Sequence, residues 1–390
     1  MKPVHSHSGV LQVMHGRNLA LDGLRGCAIT CIMLYHFVRQ FPNPKGGVDD
    51  FAYRVLSSGW IAVDLFFVIS GFLITTSMVR GDRSGKRLCS LYIGQSARVL
   101  PLYYGLLFFA CVLVPVVLTS VPEDLKRLID VQGYFWLCVN NWLVAVEGSF
   151  NTLPAGYLWW LALYQQYFVI WTILFFVSRP NVAMAIAITI AVASVVVRVV
   201  WLSLGGSETS AYVMTPTHLD GLAAGTIVAL AISRTKLRPT GTPFLGVLAS
   251  ICVVVIGSFF LWRGEFVFWD KPVTLLSPVL LTIISTYLLL KTIQSSSDSR
   301  FHKTLANPIL ASLGRHSLAI YLLHPIVGNA LVKLGITPYA HPILDSLMLP
   351  TALFLLAATC LTWVAAVSSW YLYQVHFIKL GRLLTKALEE

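Results

Sequence analysis

Three ionisable residues set the problem: Asp22, Arg25 and His36, carried in Asp22-Gly23-Leu24-Arg25-Gly26 and Leu34-Tyr35-His36-Phe37. All three lie in a mostly apolar run from about Asn18 to Phe41, long enough to span a bilayer. Arg25 and His36 are eleven residues apart. In a helix that is nearly three whole turns, which puts both on one face about 16 Å apart along the axis. Asp22 falls within about 60° of Arg25 on the same wheel. An acid, a guanidinium and an imidazole inside a spanning helix are costly unless paired or facing a cavity, so the stripe is a candidate functional site. The alternative is a structural ion pair of Asp22 with Arg25 beside a hydrogen-bonded histidine.

The rest of the chain says what must position that stripe. Of its 390 residues 56% are hydrophobic and only 12% charged, with a mean hydropathy of +0.74. That composition excludes an ordinary soluble domain and points to an all-α, polytopic membrane bundle. The net charge of +11 does not indicate a nucleic-acid partner, because the basic residues cluster in short loops between apolar runs, where they encode orientation. The seven cysteines are scattered, with neither metal spacing nor a disulfide framework. No metal site is expected.

The apolar runs fall at about 18–41, 59–79, 100–119, 157–178, 182–204, 218–233, 243–261, 273–290, 309–334 and 347–373. Arg80, Arg83, Lys86, Arg87 and Arg98 follow the second run; Arg234, Lys236 and Arg238 follow the sixth; Lys379, Arg382 and Lys386 follow the last. These mark the cytoplasmic side. They agree with one another only if the weaker run 133–146 is re-entrant or interfacial. The expectation is therefore about ten transmembrane helices with both termini cytoplasmic. The domain boundaries follow: an N-terminal tail at 1–17 read as retained rather than as a signal peptide, one membrane domain at 18–373 and a C-terminal tail at 374–390.

This topology sets depths. His36 and Asp64 each lie about five residues from the outer ends of neighbouring spans. A carboxylate on one ring nitrogen would fix the tautomer and make the other nitrogen a better base; a purely structural bond between the helices is the alternative. Arg25 and Arg98 fall near the inner mouth, suited to a phosphorylated ligand. His218 and Asp220 open the sixth span from the outside, and Gly221 and Gly225 have the small-residue spacing of a close helix contact. Ser317, Tyr321 and His324 share a face at i, i+4 and i+7, with Pro325 breaking the backbone pattern next to them. Trp142, Trp159 and Trp160 read as interface anchors.

Taken together, Asn-Leu-Ala-Leu-Asp-Gly-Leu-Arg-Gly at 18–26, Arg25-x10-His36, the segment 59–74, Ala-Arg-Val-Leu-Pro-Leu-Tyr-Tyr at 97–104, Thr-Pro-Thr-His-Leu-Asp-Gly-Leu-Ala-Ala-Gly at 215–225 and Ser-Leu-Ala-Ile-Tyr-Leu-Leu-His-Pro at 317–325 resemble the integral-membrane acyltransferase 3 family. The resemblance covers nearly the whole chain. It implies an enzyme, generally of about ten helices, that takes an acyl group, most often acetyl, from cytoplasmic acyl-CoA. The group passes to a hydroxyl, typically on a carbohydrate at the outer face. It implies His36 as the catalytic histidine and Arg25 as part of the essential motif.

Three positions depart from the family pattern. Gln95 stands where the first arginine of Arg-x-x-Arg is usual, Tyr164 where a glutamate is usual, and Gln374-Val375-His376 replaces a Glu-x-Pro tail pattern. The expected machinery is His36 as base, Asp64 as its orienting group, Arg25 and Arg98 on the donor, and His218, Asp220, Tyr321 and His324 on the acceptor. The donor is acyl-CoA, as substrate rather than bound cofactor. The expected partners are the bilayer, of a bacterial cytoplasmic membrane, and a carbohydrate or glycosylated acceptor. The competing readings are a membrane transporter, since the same residue types build proton relays, and a family member that has lost catalysis.

Overall fold

The computed structural model describes residues 18–44, 46–118, 120–150, 155–235, 242–338 and 347–389. The N-terminal tail, Lys236 and Arg238 lie outside them. Among the described residues there is no strand. The main helices are α1 (Leu19–Val38), α2 (Gly47–Leu56), α3 (Ala62–Val79), α4 (Gly85–Phe108), α5 (Gln132–Trp136), α6 (Asn140–Glu147), α7 (Trp159–Val177) and α8 (Pro180–Ser203). They continue as α9 (Glu208–Val213), α10 (Asp220–Thr235), α11 (Thr242–Arg263), α12 (Lys271–Gln294), α13 (Pro308–Arg315), α14 (Ser317–Lys333), α15 (Met348–Ser369) and α16 (Val375–Glu389).

Every predicted apolar run coincides with helix, and eight helical stretches among the described residues are long and apolar enough to cross a membrane. The remaining two differ in instructive ways. The sixth run is the 16-residue α10, about 24 Å long and so shorter than a bilayer core. The ninth run is divided at His316 into α13 and α14, the second of which has 17 residues. The weaker run 133–146 forms α5 and α6, of 5 and 8 residues. Cys138, at φ 53°, turns the chain between them. Neither piece has the length to cross. The third span starts earlier than its apolar run suggests, because α4 already begins at Gly85, so Arg87 and Arg98 belong to the helix itself.

The chain divides into two compact units. The first comprises the described residues of Met1–Phe66, Arg238–Val267 and Ile283–Tyr371. Its centre is α1, whose entry is fixed by Asn18 accepting from the Leu21 amide at 3.0 Å, a cap that contributes about 1 kcal/mol. In lipid there is little hydrophobic drive between helices, so close packing of backbones must supply the association. The glycines of α1 provide it. A Cβ on Gly23 would lie 1.7 Å from the Leu305 carbonyl oxygen, and one on Gly26 would lie 2.1 Å from that of Leu310. From the opposite side, a Cβ on Gly314 of α13 would lie 1.7 Å from the Asp22 carbonyl oxygen.

The second unit comprises Phe67–Leu237, Phe268–Thr282 and Leu372–Glu390 in their described parts. Here α3 and α10 touch backbone to backbone: a Cβ on Gly225 would lie 1.9 Å from the Val68 carbonyl oxygen, and one on Gly71 the same distance from that of Leu222. The predicted small-residue contact of the sixth span is thus present at Gly225. Beside it, Thr226 bonds Thr75 at 3.0 Å and Tyr167 at 2.7 Å, and the Trp171 indole N–H donates to Thr75 at 3.0 Å. All four side chains are buried, so this chain of hydrogen bonds satisfies groups that lipid could not. The C-terminal α16 packs on α4, with Gly381 against Ala97.

Candidate active site

In the first unit, the stripe on α1 is real and α14 lies along it. α1 is one uninterrupted helix from Leu19 to Val38, so Arg25 and His36 share a face. The Arg25 Nη2 donates to Ser317 Oγ at 2.8 Å. The His36 ring lies with its centroid 4.9 Å from that of His324. Ser317 and His324 belong to α14 in the same order as Arg25 and His36 along α1, so the two helices run in the same direction. Tyr321 sits beside them, its ring centroid 5.8 Å from His324. Sequence periodicity put Ser317, Tyr321 and His324 on one face; the structure turns that face to the stripe.

Burial differs within this group. His324, Tyr321 and Ser317 are buried, His324 completely, whereas Arg25 and His36 are half-buried. The Nδ1–H of His324 donates to the Ile320 carbonyl at 3.2 Å, which leaves Nε2 as the nitrogen with the lone pair. Of the two imidazoles, His36 is the more accessible and His324 is enclosed. Asp64 belongs to this unit as well and is 0% exposed.

The second unit holds the other expected residues. His218 is completely buried in an aromatic nest of Phe67, Trp159 and Tyr212, with ring centroids at 5.3, 5.8 and 4.9 Å. Its Nδ1–H donates to the Tyr212 carbonyl at 2.6 Å. Asp220 accepts from Arg198 Nη2 at 2.9 Å, while Arg198 Nη1 donates to the Thr217 carbonyl at 2.8 Å. Arg198 is 0% exposed. The guanidinium therefore clamps both sides of His218, and Asp220 supports the turn that carries it. Removing one partner of such a pair leaves a buried charge uncompensated, at a cost of about 3–5 kcal/mol. Arg198 escaped the sequence reading, although an arginine in the otherwise apolar run 182–204 was the available signal. Trp159 is an element of this nest rather than a surface anchor; Trp142 is exposed.

Arg98 is exposed on α4. Three residues before it, Gln95 Nε2 donates to the Tyr164 hydroxyl. The two departures from the family pattern in α4 and α7 thus face each other. Where that pattern provides an arginine and a glutamate, this chain joins the same positions by a neutral hydrogen bond, so neither change leaves a lone charge behind. Near the start of α4, Arg83 donates to the Ser178 carbonyl and stacks 4.4 Å above the Phe175 ring, and Arg87 donates to the Ser77 carbonyl at 2.9 Å. These arginines tie helix ends together as well as carrying charge. No group of three or more metal-ligating side chains occurs among the described residues.

Comparison with known proteins bears on this arrangement. The acyltransferase-domain family model matches residues 18–373. The peptidoglycan O-acetyltransferase OatA of Listeria monocytogenes serovar 1/2a is 27% identical over 348 residues, which are 82% of this chain and 50% of that protein. The O-acetyltransferase OatA of Staphylococcus aureus (strain NCTC 8325 / PS 47) is 26% identical over 322 residues, 79% of this chain and 50% of that one. The chain thus spans about half the length of the curated relatives it matches. No solved structure matches it. With a family match that takes in most of both units and the motifs from residue 18 to residue 325, the chain belongs to the acyltransferase-domain family.

Proposed function

We propose that the protein transfers an acyl group, most simply acetyl, from cytoplasmic acyl-CoA to a hydroxyl of a carbohydrate acceptor at the outer face of a bacterial cytoplasmic membrane. One observation carries this reading: a half-buried imidazole, His36, lies on the same face of one helix as the Arg25 guanidinium, and both are engaged by a single neighbouring helix through His324 and Ser317. The O-acetyltransferase names of the relatives support acetyl as the group transferred, and the Listeria name supports a peptidoglycan-type glycan as acceptor.

The chemistry is a single exchange. His36 takes the proton of the acceptor hydroxyl as its oxygen attacks the thioester carbonyl. The new C–O bond forms, the C–S bond breaks, and the CoA sulfur leaves with the proton returned by His36. His324, with its lone pair at Nε2, orients His36 and disperses its charge while the proton is held; Asp64 is proposed to share that duty. Arg25 lies about 16 Å further along α1, a span that an extended pantetheine arm can cover, so CoA itself need not traverse the membrane. His218, Asp220 and Tyr321 are proposed to shape the acceptor side. Purified protein in detergent, given acetyl-CoA with and without a glycan acceptor, should release CoA thiol in an acceptor-dependent manner. Absence of both thiol release and acylated product would overturn the reading.

Arg98 is proposed to meet the donor's phosphates. A charge-assisted contact of that kind contributes about 1.5–3 kcal/mol. Arg98→Ala should therefore raise the donor KM by roughly ten- to a hundredfold with little change in kcat; an unchanged donor KM removes Arg98 from the donor site.

The proposed orientation has its own check. In a background freed of the seven native cysteines, Ser207→Cys should react with a membrane-impermeant maleimide added to intact cells. Ser84→Cys should react only after permeabilisation. The reverse pattern would put the acceptor in the cytoplasm.

A further inference from the structure

The first unit contains a cavity of about 190 Å³ on the far side of α1 from the catalytic stripe. Its walls are Val38 and Phe41 at the end of α1, Ala52 and Leu56 of α2, and Met348 and Leu355 of α15. Val38 stands two residues beyond His36, about 200° around the helix. The cavity is therefore not on the Arg25–His36 face along which the donor is proposed to lie, but it shares the end of α1 that carries His36.

Its interior offers hydrocarbon contacts. Asp49, one of the few polar residues in the wall, accepts from the Leu347 amide at 3.0 Å. A second, Tyr53, donates its hydroxyl to the Phe41 carbonyl at 3.2 Å. The two helices that wall the cavity also carry exposed apolar side chains: Val48, Phe51 and Val55 on α2, and Leu349, Leu353 and Leu356 on α15. On a membrane protein such side chains face lipid rather than water, and α2, with its Asp50–Arg54 ion pair on another face, has the build of an interfacial helix. Such surroundings suit a ligand that arrives from the bilayer. An apolar cavity of about 150 Å³ is enough to bind benzene, so this one takes a hydrocarbon segment of about one or two isoprene units.

We propose that this cavity holds the hydrocarbon tail of a lipid-linked acceptor, anchoring it at the end of α1 so that its sugar reaches His36. The inference rests on the acyl-transfer reading above and narrows its acceptor to an amphiphile. The tail stays in the membrane and makes no chemical contact with the reacting atoms. What the cavity contributes is affinity for the acceptor, with no share in the chemical step.

The test compares two acceptors with acetyl-CoA as donor: N-acetylglucosaminyl farnesyl diphosphate and methyl N-acetylglucosaminide. The wild type should show a KM at least about tenfold lower for the farnesylated form. Ala352→Trp, which puts an indole into the mouth of the cavity from α15, should erase that advantage while leaving kcat and the KM for the methyl glycoside unchanged. Ala52→Phe fills the cavity from α2 and replaces the first variant if that one fails to fold. Equal KM values for both acceptors in the wild type, or an advantage that survives the filling of the cavity, would overturn the proposal.

A binding arm separates this outcome from failure of the acyl-transfer reading. A diazirine-bearing farnesol should label the wall residues of the wild type and not those of Ala352→Trp, with competition by farnesyl diphosphate but not by equal amounts of dioleoylphosphatidylglycerol. If neither acceptor is acylated, the acyl-transfer reading fails for them and the labelling decides the cavity. Equal competition by the phospholipid means an ordinary bilayer lipid only, and overturns the proposal.

Discussion

His36→Ala is expected to abolish acyl transfer, lowering turnover by about 10²–10⁴-fold, the range supplied by a positioned general base. The other carboxylate or imidazole choices are poorly placed: Asp22 lies about 21 Å before His36 along α1. Arg25 holds its charge at any accessible pH, and the neighbouring imidazole of His324 is completely buried and bonded to the Ile320 carbonyl. The fold should survive, because His36 is only half-buried and α1 is held by its glycine contacts with Leu305, Leu310 and Gly314. Donor-dependent acylation measured beside monodispersity in detergent checks both halves. A well-folded variant that retains most of the wild-type turnover would remove His36 from the mechanism. His324→Gln, which keeps a hydrogen-bonding side chain, should lose less activity than His324→Phe if His324 acts by orienting His36.

Gly314→Val is expected to have the largest effect on stability. The added Cβ would lie 1.7 Å from the Asp22 carbonyl oxygen and 2.8 Å from the Gly26 amide nitrogen. Both are backbone atoms of α1, and no rotamer change can move them away. The helices would have to separate, and the Arg25–Ser317 bond at 2.8 Å would be lost with them. A cost beyond about 4–5 kcal/mol, which few single substitutions reach, is expected, read out as loss of monodisperse protein or a large fall in Tm. The comparison that makes the result specific is Gly94→Ala in α4, where nothing lies within 4 Å of the added Cβ. That change should be neutral or stabilise by about 0.5–1 kcal/mol. Similar losses from both substitutions would mean that helix propensity, not close approach, governs Gly314.

The same contacts explain a feature the sequence displays without interpreting. Asp22-Gly23-Leu24-Arg25-Gly26 reads most readily as chemistry, because its charged residues stand out in an apolar run. Its two glycines are what allow α1 to approach the backbone at Leu305 and Leu310. A Gly in a helix is equally compatible with an open surface, as Gly94 is, and only a neighbouring backbone distinguishes the two. In the same way Gln95 and Tyr164 each read as a loss from a family pattern. Their meeting across α4 and α7 makes them one exchange of a pair.

What the sequence determined by itself is whatever depends on one helix at a time. Hydrophobic runs gave the helices and eight of the ten expected spans, loop composition gave an orientation to test, and the 3.6-residue period put Arg25 with His36 and Ser317 with Tyr321 and His324 on common faces. Those inferences are local, and a rigid helix transmits them faithfully over 20 residues. What only the tertiary structure decided is which face meets which. Arg25 with Ser317 joins residues 292 apart in sequence, and Arg198 with Asp220 bridges two helices through a turn. The break at His316 and the cavity between α2 and α15 are likewise seen only in the folded chain. In lipid, where apolar faces are nearly interchangeable, such pairings are selected by small residues and buried hydrogen bonds, and those act only once the helices are in contact.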